Sequence, residues 1–250
     1  MPLFNADCFE FLPTLEDESV DLTFTSPPYF NAKDYSQFHS YDCFLTWLGE
    51  AFQLIYDKTK AGRFCVVNVS PVFTKRTSPA VQSKRHNIPA HLSVLLEEQG
   101  WEWVDEIVWL KPEGAAKNRN GNFYQIRLPL TYKPNLVNES VLVFQKGGVL
   151  NRQTLRKIPT EVKEASLVPD GYDRTNVWKV NPDTSNTHPA PFPLALAEKV
   201  VRYYSFVGDV VLDPFAGSGT TGVACKNLNR EFVGVEKDET YFRLAGERLA

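Results

Sequence analysis

Two short stretches near opposite ends of the chain hold residue types that could do chemistry together. The first is Ser26-Pro27-Pro28-Tyr29. It follows the alternating run Ser19–Thr25, which reads as a strand, and the paired prolines fix the backbone and cannot extend a ladder. The Ser26 hydroxyl and a carbonyl from the Pro27 region can accept two hydrogen bonds from one exocyclic amino group, and Tyr29 offers a ring for stacking on a base. The amine of cytosine or adenine is a poor nucleophile, because its lone pair is conjugated into the ring. Two fixed acceptors that draw it towards a tetrahedral shape favour the transition state over the ground state. A base reaches such a pocket only by leaving the duplex stack.

The second stretch is Asp213-Pro214-Phe215-Ala216-Gly217-Ser218-Gly219-Thr220-Thr221. An apolar run, Val207–Leu212, precedes it, and a helical pattern starts at about Thr220. A strand, a Gly turn and a helix in that order let a backbone approach a nucleotide closely. A further strand, Glu231–Val235, ends in Glu236, which lies 19 residues past Gly217. An acid at about that distance is placed to hold ribose hydroxyls. Gly217-x-Gly219-x-x-Gly222 also meets the spacing of a nucleotide-dependent oxidoreductase. The Pro-Pro loop, for which such an enzyme has no use, decides against it.

The intervening patterns must position these stretches. A short strand over residues 2–6 leads to Asp7, which is placed to cap a helix bearing Cys8, Phe11, Leu12 and Leu15. Helical spacing covers residues 44–58 and 88–99, with Gly100 as a stop, and residues 193–204. Residues 63–69 read as a buried parallel strand, while 101–110 and 139–145 read as partners joined by a long Gly/Asn/Lys loop, 111–138. Alternating strands and helices give an α/β fold: a mostly parallel, Rossmann-like sheet with helices on both faces. The strand–helix–strand unit that normally opens such a fold closes this chain. The sheet works if strand 3–6 lies beside strand 232–235, as a circular permutation. Residues 1–146 then form one half, 147–180 a segment without strong period that suits target recognition, and 181–250 the other half.

Composition is that of an ordinary globular chain, 43% hydrophobic and 23% charged. No run reaches membrane-spanning length, and no signal pattern opens the chain, so a cytoplasmic setting is expected. The cysteines Cys8, Cys43, Cys65 and Cys225 and the four histidines form no zinc spacing, so no metal is expected. Net charge is −3, but residues 58–96 hold seven Lys/Arg and no acid, and residues 111–163 hold ten against three. The asymmetry suggests a cationic face on an acidic body. Trp101, Trp103 and Trp109 read as core.

Thr25-Ser-Pro-Pro-Tyr29 together with Asp213-Pro-Phe-Ala-Gly-Ser-Gly219 resembles the S-adenosylmethionine-dependent DNA amino-methyltransferases. The order, catalytic loop first and cofactor turn last, is similar to their permuted β subgroup, and the likeness spans nearly the whole chain. It implies a circularly permuted methyltransferase fold with a small DNA-recognition insertion. It implies S-adenosylmethionine as cofactor and double-stranded DNA as substrate, and it allows a homodimer and a cognate restriction endonuclease as partners. By this resemblance Ser26, Pro27, Pro28 and Tyr29 hold the target base. Asp213, Pro214, Phe215, Ala216, Gly217, Ser218 and Gly219 line the methionine and sulfonium end of the cofactor. Thr220 and Thr221 help bind its carboxylate, and Glu236 holds the ribose. Asp7 reaches the adenine amine, though as a plain helix cap it is equally well explained. Asn186-Thr187-His188-Pro189-Ala190-Pro191-Phe192-Pro193, before a helix, resembles the segment on the methionine side of the cofactor, with Thr187, His188 and Pro189 at it. Phe30 and Tyr35 suit a lid over the flipped base, with simple packing an equal reading. Lys33, Arg119, Arg127, Lys133, Arg152 and Arg156 suit phosphate contacts.

Within that family a Ser at the head of the tetrapeptide goes mostly with N4-cytosine methylation, and an Asp with N6-adenine. Cytosine N4 is therefore the expected target, with adenine N6 as the alternative and an RNA or protein-amide methyltransferase further off. C5-cytosine chemistry needs a Cys nucleophile, usually in Pro-Cys, and no Pro-Cys occurs here.

Overall fold

A computed structural model describes residues 2–30, 38–74, 84–115, 127–132, 134–147, 152–183 and 192–250. The chain starts with β1 (Leu3–Asn5), α1 (Cys8–Phe11), β2 (Val20–Thr25) and α2 (Tyr41–Lys58). Then follow β3 (Thr59–Val69), a hairpin of β4 (Val72–Thr74) and β5 (Lys84–His86), α3 (Ile88–Glu98), β6 (Trp101–Leu110) and β7 (Asn138–Lys146). Short helices α4 (Arg152–Lys157) and α5 (Thr160–Ala165) lead to β8 (Val177–Lys179) and α6 (Leu194–Tyr204). The chain closes with β9 (Val210–Asp213), α7 (Thr220–Asn227), β10 (Glu231–Glu236) and α8 (Glu239–Leu249).

The main sheet runs β1-β10-β9-β2-β3-β7-β6-β8, and β7 alone among these strands points the other way. The expected neighbourhood of the chain ends is present: Leu3 pairs with Gly234, Phe4 with Val235 and Asn5 with Glu236. Side chains alternate along β3. Cys65, Val67 and Val69 enter the core under α2 and α3, whereas Val66 faces the core under α6 and α7. Each face is therefore covered by helices, and the strand reads as a continuous apolar run.

Several boundaries differ from the sequence pattern. The first helix stops at Phe11 and passes into a 3-10 turn over Leu12–Thr14, because Pro13 cannot continue an α-helix. β3 starts at Thr59, four residues earlier than expected, since it pairs with Val20 across a register shift. The loop expected over 71–87 contains the β4–β5 hairpin. Segment 147–180 contributes β8 to the sheet edge, paired with Val108–Leu110, so it is not wholly an insertion. Trp101 and Trp109 are core, but Trp103, two residues along on the same face as Trp101, is 49% exposed; a register shift between Trp103 and Asp105 then turns Trp109 into the core on the other face.

The cationic face also needs correction. Lys58 bonds Asp17, Lys60 bonds Asp21, and Arg63 bonds both Asp21 and Asp209, all at the amino ends of the parallel strands. Lys146 pairs with Glu18 at the same edge. These cations are neutralised by acids from other parts of the chain, which a count along the sequence cannot reveal. Among the described residues, Lys84, Arg85 and Arg127 stay exposed in segments leaving the carboxyl edge.

Candidate active site

Both motifs leave the carboxyl ends of adjacent strands. β2 and β9 are hydrogen-bonded neighbours, Thr23 opposite Leu212, so the Ser26 loop and the Gly turn emerge side by side. Between them lies a cleft of about 510 Å³, lined by Ala6, Asp7 and Cys8 from the β1 end, Ser26–Tyr29, Phe38 ahead of α2, Trp47 from α2, Pro214, Phe215 and Gly217 from the turn, and Val235–Asp238 with Tyr241. The volume suits a nucleotide-sized ligand.

The turn is shaped by its glycines. Gly217 has φ +52° and sends its N–H to Glu236 Oε2 at 2.7 Å. Gly219, at φ +76°, caps α7, where a Cβ would press on Ala245 at 3.0 Å. From outside, Arg248 of α8 donates to the Ser218 carbonyl at 2.6 Å and to its hydroxyl at 2.8 Å, and Ala216 N–H donates to Val235 O at 2.9 Å.

Asp213 is fully buried, and it braces the cleft without lining it. Its Oδ1 accepts from the Thr25 hydroxyl and its Oδ2 from the Thr221 hydroxyl, both at 2.7 Å, and the Phe215 N–H also reaches Oδ1. One carboxylate thus ties the last residue of β2 to the start of α7. Burial pushes its pKa up to about 6 against the pull of those donors. Thr220 and Thr221 are buried as well, with Thr221 occupied by Asp213 and Thr220 within 3.3 Å of Arg248. These residues were expected at the cofactor; in the structure their side chains hold the turn at the cleft.

Glu236 does face the cleft. Its oxygens accept from Gly217 N–H and from Asp238 N–H at 2.8 Å, each keeping a further lone pair for a hydroxyl donor. Burial raises its carboxyl pKa above the ordinary value, opposed by those two N–H groups. Asp7 is a helix cap that also lines the cleft: Oδ1 caps α1 through the Phe9 N–H at 2.9 Å, and Oδ2 pairs with Lys237 at 2.8 Å at the cleft wall. Burial works to raise its pKa, but Lys237 and the Phe9 N–H hold it below the usual value.

Phe30 does not form a lid. It is 6% exposed and packs edge-on to Tyr41 and His86, so packing is its role and it anchors the β4–β5 hairpin beside the Ser26 loop. Lys33, Tyr35, Arg119, Lys133, Thr187, His188 and Pro189 lie outside the described residues, and of Arg152 only its helix is described. Arg156 is exposed on α4, yet that helix runs between two anchors at the amino edge. Gly147 O accepts from Gly62 N–H at 3.1 Å, and Ser166 Oγ accepts from Val207 N–H at 2.8 Å. This is the end of the strands away from the cleft. The cleft residues Phe38, Trp47, Lys237 and Tyr241 escaped the sequence reading. Trp47 falls within the helical pattern 44–58 and carried no separate signal, and its ring lies 5.5 Å from Phe215.

The described residues hold no cluster of three or more metal-ligating side chains, and no helix among them is long and apolar enough to cross a membrane. A family model described as a DNA methylase matches residues 20–247. The chain belongs to that family. A type II methyltransferase of Streptomyces caespitosus, M.ScaI, is 31% identical over 99% of this chain and 80% of its own. M.SmaI of Serratia marcescens is 28% identical over 97% and 88%. The crystal structure of a putative DNA modification methylase from Thermus thermophilus, complexed with S-adenosyl-L-methionine, superposes with a TM-score of 0.81 at 29% identity, covering 100% of this chain and 93% of that one. The cytosine-N4-specific PvuII DNA methyltransferase shares the fold, with a TM-score of 0.73 at 21% identity over 99% and 86%.

This chain is an S-adenosylmethionine-dependent DNA amino-methyltransferase. The cleft fits that cofactor in chemistry as well as size: a glycine turn without Cβ atoms for close backbone approach, a carboxylate with lone pairs to spare, and an aromatic wall.

Proposed function

We propose that the chain methylates the exocyclic N4 amine of cytosine within a specific duplex sequence. The observation that carries the reading is Ser26 at the head of the Pro-Pro loop, on the cleft wall beside the Gly turn. When bound, S-adenosylmethionine supplies an electrophilic methyl group on its sulfonium. Glu236 would take the ribose hydroxyls, Asp7 the adenine amine, and Phe215 with Gly217 the methionine and sulfonium side. Ser26 Oγ and the Pro27 carbonyl would accept from the two amine hydrogens of the flipped base, which frees the nitrogen lone pair for in-line attack. Tyr29 would stack on the base. Pro27 and Pro28 carry no N–H of their own to compete for those acceptors. Adenine N6 is the second reading, since the same two acceptors serve either amine.

The relatives named type II methyltransferases support a place in restriction–modification, with a cognate endonuclease as functional partner. The DNA face is assigned to the carboxyl edge, where Lys84, Arg85 and Arg127 are exposed. The target is tested by digesting DNA from cells that express the chain and identifying modified nucleosides by mass spectrometry. N4-methylcytosine is the expected product; N6-methyladenine alone contradicts the cytosine assignment.

A further inference from the structure

A cluster outside the cleft lining converges on the catalytic loop. Glu139, the second residue of β7, accepts from three side chains at once. Lys111 pairs with its Oε1, the Asn68 amide reaches Oε2 at 2.8 Å, and the Tyr29 hydroxyl reaches Oε2 at 3.3 Å. The four residues come from four parts of the chain: Tyr29 from the loop after β2, Asn68 near the end of β3, Lys111 just after β6, and Glu139 at the start of β7. Asn68 is buried, and its Oδ1 has no hydrogen-bond partner among the described residues, so Glu139 is what fixes the amide. Lys111 is held in turn by the Trp109 ring, 4.4 Å from its Nζ, and by its N–H donating to Val137 O at 2.7 Å.

We infer that Glu139 is a positioning residue that sets Tyr29 for the target base and ties it to both ends of segment 111–138. A carboxylate can only accept, so the Tyr29 hydroxyl must donate to it, which fixes the direction of that proton. Lys111 and Glu139 bracket the segment, so a shift of its ends when DNA binds reaches Tyr29 through one carboxylate. The 3.3 Å contact is long for an O–H···O bond, and such bonds tighten in the reacting complex. The inference rests on the reading that Tyr29 contacts the target base. It does not depend on which base is methylated.

The test is a double-mutant cycle on the single-turnover rate of methyl transfer to DNA, counting product on either base, with cofactor affinity and melting temperature measured in parallel. Tyr29→Phe and Glu139→Ala are each expected to slow transfer roughly tenfold, the size of a lost hydrogen bond to a charged group. The double variant is expected to be no slower than the slower single one. Cofactor affinity should stay within about twofold of the parent, the margin set for distant independent sites. Glu139→Gln keeps an acceptor and should recover part of the loss; it replaces Glu139→Ala in the cycle if the alanine variant does not fold. Multiplying losses in the double variant, or a full rate for Tyr29→Phe, overturns the inference and leaves the role of Ser26 standing. A full rate for Ser26→Ala strikes the catalytic loop itself.

Discussion

Asp213 sits between two threonine hydroxyls and a backbone N–H, with no route to solvent. Its position in the motif suggests ligand contact, but its geometry makes it the pin between β2 and α7. The folded state holds its proton more tightly than the unfolded chain, about 6 against 3.8. Between those values the unfolded chain therefore binds fewer protons, and stability falls as pH rises. The contribution is present below pH 3.8 and lost above about 6; the gap corresponds to about 3 kcal/mol at most. Asp213→Asn cannot ionise. Its melting temperature is expected to fall less than that of the parent between pH 4 and 6, as read by calorimetry. Parallel pH profiles would contradict a buried, proton-holding Asp213. The Gly turn was legible in the sequence because glycine spacing is a local signal. The division of labour within it was not, because which oxygen meets which hydroxyl depends on β2, some 190 residues away in sequence.

At the scale of elements, α7 begins at Thr220 and β10 runs Glu231–Glu236, as their patterns indicate. Gly and Pro punctuate these segments sharply, and the apolar periods are unbroken. Segments 71–87 and 147–180 were harder to read. The β4–β5 hairpin has three-residue strands, too short for a period to show, and β8 is defined only by its partner β6. This bears on where DNA is expected to bind. The hairpin stands beside the Ser26 loop through His86 and Phe30, whereas α4 is flanked by anchors at the far edge. Arg85→Glu is expected to weaken DNA binding and to lower the slope of log K against log salt by about one, the loss of a single phosphate contact. Arg156→Glu is expected to leave both unchanged in the same titrations. The opposite pattern would return DNA recognition to segment 147–180.

At the scale of the molecule, the site is built from both ends of the chain. Ala6 N–H donates to Glu236 O, and Asn5 donates to the same carbonyl at 2.9 Å. The first strand thus completes a sheet that the last strand begins, and the cleft opens where β2 meets β9. The order of motifs along the chain announced this closure: with the cofactor turn last, the first strand was expected beside the last, and β2 and β9 then bring the two motifs together. The ion pairs that tie residues 58–63 to Asp17, Asp21 and Asp209 gave no such sign, because charge pairing across strands has no signature along the sequence. The central claim is that one cleft holds the cofactor on the Gly turn and the target amine on the Pro-Pro loop, with separable residues for each. It is tested most directly with Ser26→Ala, by measuring cofactor affinity calorimetrically and methyl transfer to DNA in a single turnover. Affinity like the parent's and a roughly hundredfold slower transfer are expected, the loss typical of one preorganised polar group at a reacting centre. Transfer at the parent's rate would contradict the claim.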